Sequence, residues 1–524
     1  MSQKKLIIIN SKKAISINDK NVFYINLGDG TVFSNYSNKI ILKDYRKKFY
    51  LDYKKKLIFQ LQKKIKEANN KVENFIELEI FNLRTDKNHN IDLNINILII
   101  KNIIKTKKFD HLELYTDDYF TRDIFKKMYP KIKLSNQKIK FKSYRFELIK
   151  ITKFYLKSLM VIIFLKFFNK QFVKSNHFDE ACLSINPIFY KKGNENFFKR
   201  KDSIKLNFLL TDETHLNLSL INILKLILKN KQSNLVHIEN YIRFKDLFYS
   251  LIKSYKNFFL LKKLDFIFKI ENTDFTEFYY SYIHSSFINR SKLNIYNNSI
   301  IEVLKKFKIK KFNIYLFEYN FGFYLINLIK KKMKDMKITG YQHGIFSDKL
   351  LWFELITKNS KKLNYLPHEI ISTNKYSEND YKKIIKEKKI KYKISNKQTS
   401  ILSRDYIESN KQQYKDHTLV LPGTHDAKQI YHQLKNYLDI NKKNKKIFFF
   451  KFHPKYSVTQ KSLKQLRVIK SIQNKKFKTV LISSTSTLIY DFVKLKKKFM
   501  VYEFDNQQNL ISTDLSKKIK FYYL

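Results

Sequence analysis

Short apolar runs alternate with stretches of helical period through most of the chain. The first run, Leu6–Ile9, is too short for a signal sequence and predicts a β-strand. Leu112–Tyr115 predicts another strand, with a helix through Arg122–Met128 after it. In the second half the alternation sharpens. Phe312–Phe317 is rich in β-formers, and Gly322, Leu325, Ile326, Ile329 and Met333 then recur at helical spacing. Met336–Tyr341 and Glu369–Thr373 predict two more strands, the latter followed by a polar helix over 376–388. Residues 395–416 are polar, and 403–416 reads as a linker. Beyond it a second series begins, with strands at Thr418–Leu421, Ile447–Phe452, Thr479–Ile482 and Phe499–Tyr502 and helices over 426–438 and 485–493. Strands alternating with helices predict an α/β protein built on parallel sheets. Residues 151–295 read as mostly helical, and no internal repeat is visible. The expected organisation is an N-terminal domain over 1–402 with a helical insertion around 151–295, the linker 403–416, and a C-terminal domain over 417–524. Ligands of such units bind at the carboxyl ends of the strands, here in a cleft between the two domains.

Composition narrows the function classes. A chain of 524 residues, 44% hydrophobic and 16% aromatic, buries large cores and suggests about two to four domains. Its one cysteine, Cys182, excludes an internal disulfide and a cysteine-based zinc or iron–sulfur site. The net charge of +58 points at first to nucleic acid or an anionic membrane. Yet Lys, Asn, Ile, Phe and Tyr are enriched together while Gly numbers 7, Pro 5 and Trp 1, as an AT-rich coding sequence produces. No lysine run exceeds three residues, so most of the charge reads as background and nucleic acid is not expected as a partner. Leu156–Phe168 is the most apolar segment, but its core between Lys157 and Lys166 is far short of the ~20 residues of a membrane span. It reads either as a buried helix or as a basic, aromatic helix lying in a membrane interface. The expected location is cytoplasmic, with room for peripheral contact with the anionic inner face of the membrane.

Scarce residues mark the candidate chemistry. Gly322, Gly340, Gly344, Gly423, Pro367, Pro422 and Pro454 all fall between 322 and 454. Gln342-His343-Gly344 follows a strand, and Glu318 follows the preceding one. On adjacent parallel strands Glu318 and His343 lie within side-chain reach, and a shielded carboxylate serves as general base on a sugar hydroxyl. The plainer readings are a loop histidine and a helix-capping carboxylate. Lys451-Phe452-His453-Pro454 ends a buried strand and offers an anion a donor and positive charge; alternatively His453 is a turn residue. Ser483-Ser484-Thr485 opens the next helix as an anion site or as simple capping. Asp491 lies about two turns on, able to accept ribose hydroxyls or merely solvated. Gly423 and Thr424, at another strand end, allow close backbone approach to a phosphate. There is no GxxxxGK[ST], GxGxxG or HExxH, which disfavours P-loop, dinucleotide and zinc-protease chemistry. No metal site and no cofactor are expected.

The series Phe317-Glu318-Tyr319-Asn320 … Gly340-Tyr341-Gln342-His343-Gly344 resembles the Phe-Glu-Gly-Gln … Gln-His-Gly/Ser pattern of a bacterial surface carbohydrate family. Lys451-Phe452-His453-Pro454 and Ser483-Ser484-Thr485 are similar to the His-Pro and Ser/Thr motifs of bacterial sialyltransferases, Kdo-type capsule transferases and CDP-glycerol-dependent polymerases. The resemblance covers roughly residues 298–504. It implies a GT-B fold of two Rossmann-like domains and a metal-independent, inverting glycosyltransferase. Glu318 is then the acceptor-side base, with His343, Gln342 and Gly344 orienting substrates. His453 and Ser483–Thr485, with Gly423, Thr424 and Lys451, hold the donor phosphate, and Asp491 holds the ribose. The donor is nucleotide-activated, CMP-linked sugars included; the acceptor is a surface glycan or lipid-linked glycan. Two positions depart from the family pattern: Tyr319-Asn320 stands in place of Gly-Gln, and Asp491 in place of Glu. Two alternatives stand beside this reading, a CDP-glycerol-type glycerophosphotransferase on the same fold and a non-catalytic basic protein binding membrane or nucleic acid.

Overall fold

Alternate residues of the first strand face opposite ways: Leu6 and Ile8 enter one core, Ile7 and Ile9 another. A strand buried on both faces reads as a continuous apolar run, which is why it was visible in the sequence. The computed structural model to which it belongs describes residues 4–523 except 12–14, 18, 29–31, 35–37, 70–89, 135–144, 169–172, 174, 184–202, 211–218, 230–233, 263–266, 315–316, 343, 351–364, 387–388, 396–412, 424–425, 441–445, 453–461, 471 and 473–475. His343, Thr424 and His453 therefore lie outside the described residues, as does the linker up to 412.

Three parallel sheets organise the chain. The first comprises β1 (Lys5–Asn10), β3 (Val22–Asn26), β5 (His111–Thr116) and β6 (Lys133–Leu134) in the order β3-β1-β5-β6. Between β1 and β5 lie the short pair β2 (Ile15–Ile17) and β4 (Val32–Ser34) and helices α1 (Leu42–Asn69) and α2 (Asn90–Lys107). Helix α3 (Tyr119–Met128) follows β5, its N-cap Asp118 accepting from the Thr121 amide. The second sheet has seven strands: β7 (Glu180–Leu183), β8 (Ser203–Asn207), β9 (Leu235–His237), β12 (Lys311–Ile314), β13 (Lys337–Tyr341), β14 (Glu369–Ser372) and β15 (Lys391–Ile394). An antiparallel hairpin of β10 (Lys269–Ile270) and β11 (Thr273–Asp274) stands apart. The third sheet has six: β16 (Gln413–Leu421), β17 (Ile447–Phe450), β18 (Leu466–Val468), β19 (Lys476–Ser483), β20 (Met500–Tyr502) and β21 (Lys520–Tyr522).

The strand orders carry the functional geometry. The second sheet runs β15-β14-β13-β12-β7-β8-β9 and the third β18-β17-β16-β19-β20-β21, every neighbouring pair parallel. In both, the first three strands step outward one way and the later ones the other way, the doubly wound Rossmann-like order. The reversal falls between β7 and β12 in one sheet and between β16 and β19 in the other.

Two sequence expectations change. Residues 151–295 are not a purely helical insertion, because β7, β8 and β9 are integral strands of the second sheet. These strands have three to five residues and read EACL, SIKLN and LVH. So few residues show no period, and helical segments surround them: α4 (Arg145–Phe168), α5 (Leu220–Lys229), α6 (Phe244–Lys262), α7 (Thr276–Lys292) and α8 (Ser299–Lys306). Likewise residues 413–416, read as the end of the linker, open strand β16, whose Gln413 and Tyr414 pair with Lys476 and Phe477.

One segment after β20 ties the three sheets together. The Asn506 side-chain amide donates to the carbonyls of Leu27 (2.9 Å) and Gly28 (3.2 Å), beyond β3. Its own carbonyl accepts from Arg46 Nη1 (2.9 Å) on α1 and Asn96 Nδ2 (2.8 Å) on α2. Arg46 in turn pairs with Asp92 at 2.6 Å, both side chains almost fully buried, and the Gln508 amide closes on the second Asp92 oxygen at 3.1 Å. A few residues on, the same segment reaches the second sheet: Lys349 Nζ donates to Asn509 Oδ1 (2.6 Å) and the Thr513 amide to Asp348 Oδ1 (3.0 Å). Removing one member of a buried pair leaves an uncompensated charge, whereas an exposed pair contributes little. Asp92→Ala is therefore expected to lower stability by about 3–5 kcal/mol, and Asp44→Ala, at the exposed Asp44–Lys47 pair, by under about 0.5 kcal/mol; urea unfolding of the two variants in parallel checks the contrast.

Candidate functional site

The carboxyl end of β12 sits at the reversal of the second sheet and leads through Phe317-Glu318-Tyr319 into α9 (Asn320–Lys332). Gly340 on the neighbouring β13 makes room for this turn: a Cβ there would stand 2.7 Å from the Phe317 ring and 2.8 Å from Pro367. Glu318 is only 1% exposed. Its Oε1 accepts from the phenol of Tyr381 on α10 (Lys375–Ile385). Tyr381 is stacked on Phe346, with ring centroids 3.6 Å apart and planes 9° from parallel. The carboxylate thus lies under an aromatic lid made by residues that follow β13 and β14.

Gln342 and Gly344 lie at the end of β13. Gln342 is buried and its amide is fully engaged. Nε2 donates to the Gly344 carbonyl (2.9 Å) and to Ser377 Oγ (3.1 Å), while Oε1 accepts from the Thr373 amide (2.9 Å) and hydroxyl (3.1 Å). Instead of offering its amide to a ligand, Gln342 ties the β13 and β14 ends to the first turn of α10.

The third sheet carries the second cluster at its own reversal. Gly423, just past β16, and Ser483-Ser484-Thr485, at the end of β19, are adjacent in space. Asp426, before α11 (Ala427–Ile440), binds them together. Its Oδ1 accepts from the Gly423 amide (2.8 Å), and its Oδ2 accepts from Ser483 Oγ and from Thr485 Oγ1 (2.8 Å). The Thr485 amide also donates to Ser483 Oγ at 3.1 Å. Two of the hydroxyls assigned from sequence to an anion are therefore held by a buried carboxylate. Gly423 is small for the same reason, since a Cβ would fall 2.0 Å from Thr485 Oγ1. The following helix, α12 (Leu488–Lys494), begins three residues later than the hydroxyl pattern predicts. Asp491 on α12 is buried, not solvated. Ser484 is buried too, whereas half-buried Lys451, directly after β17, keeps its ammonium at this edge, donating to the Phe452 carbonyl at 3.2 Å. Burial pulls the Lys451 pKa down, and no described carboxylate is ion-paired with it.

The two clusters meet through α12. Tyr490 is buried, and its phenol donates to the Phe346 carbonyl at 3.1 Å. Burial pushes this phenol up, and the Asp380 and Glu318 charges add to the effect. The helix after the Ser/Thr turn of the third sheet therefore rests on the lid over Glu318. Asp426, Tyr381 and Tyr490 escaped the sequence reading. Asp426 had a local signal, an acid at a helix start after Pro-Gly; the two tyrosines looked like any others in a chain with 35. Glu239 is a further buried carboxylate at strand ends in the second sheet, accepting from the Leu209 (2.6 Å) and Leu210 (3.1 Å) amides and the Tyr296 hydroxyl (2.6 Å). Among the described residues no group of three or more His, Cys, Asp or Glu side chains is placed to hold a metal ion. Comparison with protein-family models, with curated proteins and with solved structures gives no match.

Two outcomes are expected from these contacts. Asp426→Ala leaves two hydroxyls and an amide without their acceptor, each loss worth about 1–3 kcal/mol where no water replaces it; the melting temperature should fall well below that of Asp426→Asn, which keeps one acceptor oxygen. Asp380, one residue before Tyr381, is pushed from 3.8 up to about 6 by burial, with the Asp348 charge adding to it. The folded state then binds the proton more tightly than the unfolded chain, so Asp380 favours folding below pH 4 and that contribution is lost as pH rises to about 6. Asp380→Asn should accordingly gain stability relative to wild type on going from pH 4 to pH 7, measured by thermal unfolding at both.

Proposed function

We propose that the chain is a glycosyltransferase of GT-B type that moves a sugar from a nucleotide-activated donor to a glycan acceptor. One observation carries the reading: the Glu318 and Ser483 clusters, found as motifs, fall at the reversal points of two separate doubly wound sheets. Such points are where open α/β sheets bind ligands. The Tyr490–Phe346 contact brings the two edges against each other.

In this reading the third sheet holds the donor. Asp426 fixes the β16 and β19 loops, and the Lys451 ammonium at the neighbouring strand end attracts the nucleotide phosphate. His453, outside the described residues, follows Lys451 by two positions and stabilises the leaving phosphate. Glu318 takes the proton of the acceptor hydroxyl. Since that carboxylate is 1% exposed, the acceptor reaches it only when the Phe346 segment lifts, so catalysis requires α12 and the lid to separate. Gln342 acts as a positioning residue that anchors the base of this lid through Gly344 and Ser377.

The test is a thermal-shift screen of the whole chain against CMP, CDP, UDP and GDP, followed by transfer assays with the sugar nucleotides of the nucleotide that binds. One nucleotide should raise the melting temperature selectively, and Lys451→Ala should shrink that shift. Glu318→Gln should keep the shift and lose about 10²–10⁴-fold in transfer. Transfer from CDP-glycerol and not from a sugar nucleotide would move the assignment to glycerophosphate transfer. No shift with any of the four would overturn the donor site.

A further inference from the structure

We propose that the outer surface of α4, α5 and α6 is a docking face for an anionic lipid bilayer. This inference does not depend on the catalytic reading, since it rests on a different part of the molecule.

Helix α4 carries two opposite apolar stripes, with Lys150, Lys153, Lys157 and Lys166 on the flanks between them. Ile151, Tyr155, Ser158, Ile162 and Leu165 form its buried stripe. Tyr155 fixes the orientation by bonding Ser250 and Ser254 of α6, each hydroxyl pair at 2.7 Å. The opposite stripe, Leu156, Met160, Ile163 and Phe167, recurs at the same helical spacing and stands in solvent, Phe167 at 78% exposure. Helix α6 repeats the pattern with Phe244, Phe248, Ile252 and Phe259, Phe248 at 64%. Helix α5 adds Ile221 and Leu228. Helix α4 packs between the other two. Lys166 of α4 sits 4.1 Å over the Phe244 ring of α6, so the two exposed faces run into each other. Of the 21 large apolar side chains exposed among the described residues, 14 lie on these three helices.

Biased composition does not explain such a concentration. Helix α9 is equally rich in Phe, Leu and Ile, yet its exposed positions are Lys331 and Lys332. An apolar surface of this breadth marks an interaction site. Charge selects the partner. Lys153, Lys225, Lys245 and Lys256 are interspersed at or beside the apolar stripes, and no described carboxylate is ion-paired with them. A second copy of a chain carrying +58 would set lysine against lysine, whereas lipid phosphates neutralise them while the aromatic rings enter the acyl boundary. The face lies on the membrane instead of crossing it, since no described helix is long and apolar enough to span.

The experiment is co-sedimentation of the full chain with phosphatidylcholine vesicles, with and without phosphatidylglycerol, alongside hydrogen–deuterium exchange. Wild type should pellet with the anionic vesicles only, and protection should increase over 145–168 and 244–262. The double variant Phe167→Glu/Phe248→Glu, and the milder Phe167→Ser, should keep the wild-type melting temperature and lose about tenfold or more in vesicle partition. Lys153→Glu/Lys256→Glu should remove the dependence on phosphatidylglycerol. A wild-type chain that stays in the supernatant with both vesicles overturns the proposal, as does protection confined to other segments. So does a dimer, seen by light scattering and split by the same substitutions, in a chain that ignores vesicles.

Discussion

The arrangement of the three sheets depends on one buried ion pair and the residue that completes it. Arg46 and Asp92 join α1 to α2, and among the described residues their further hydrogen-bond partners are Asn96, Asn506 and Gln508. A buried charge pair with unpaired polar atoms costs more than it returns. The segment after β20 therefore completes a charge pair buried between α1 and α2. That segment is contiguous with the bonds to Asp348 and Lys349, in the loop after β13 of the second sheet. Burial lowers Lys349 to about 8, so even this outer contact includes a partly desolvated charge. Together these contacts fix where the third sheet's edge stands relative to the other two.

Within that frame, each large sheet uses a buried carboxylate to hold its strand-end loops. Glu239 gathers two backbone amides and a tyrosine in the second sheet, and Asp426 gathers an amide and two hydroxyls in the third. The carboxyl edge of a parallel sheet has backbone groups that no further strand satisfies, so loops there need side-chain partners. These braces leave the ends of β12 and β17 as the places where Glu318 and Lys451 stand. Tyr490 then couples the edges, because its helix follows the braced Ser/Thr turn and its phenol lands on the lid over Glu318. Parting the Phe346 segment from α12 therefore breaks the Tyr490 bond.

The helical layer follows another rule. The apolar content of α4 serves two surfaces, and only the inward one is used by the fold. Its inner side is fixed by hydroxyl bonds from Tyr155 as much as by apolar packing. The outer side adds nothing to the fold and is costly in water.

Hydrophobic alternation in the sequence determined the α/β class, the strands from β12 to β14, from β16 to β17 and from β19 to β20, and the helices between them, because strands buried on both faces leave uninterrupted apolar runs. It also located Glu318, Lys451 and Ser483 at strand ends, from the apolar runs that precede or include them, with Pro454 marking the end beyond Lys451 and a run of hydroxyls marking Ser483. It did not show that β7, β8 and β9 complete the second sheet, because three to five residues with a Glu, Ser, Lys or His among them carry no period. Nor did it show that Asp426 occupies the Ser483 and Thr485 hydroxyls, that Tyr381 covers Glu318, or that Asn506 closes a pair more than 400 positions away. Those contacts join residues distant along the chain, and local spacing holds no record of them; only the order in which the strands assemble brings the partners together.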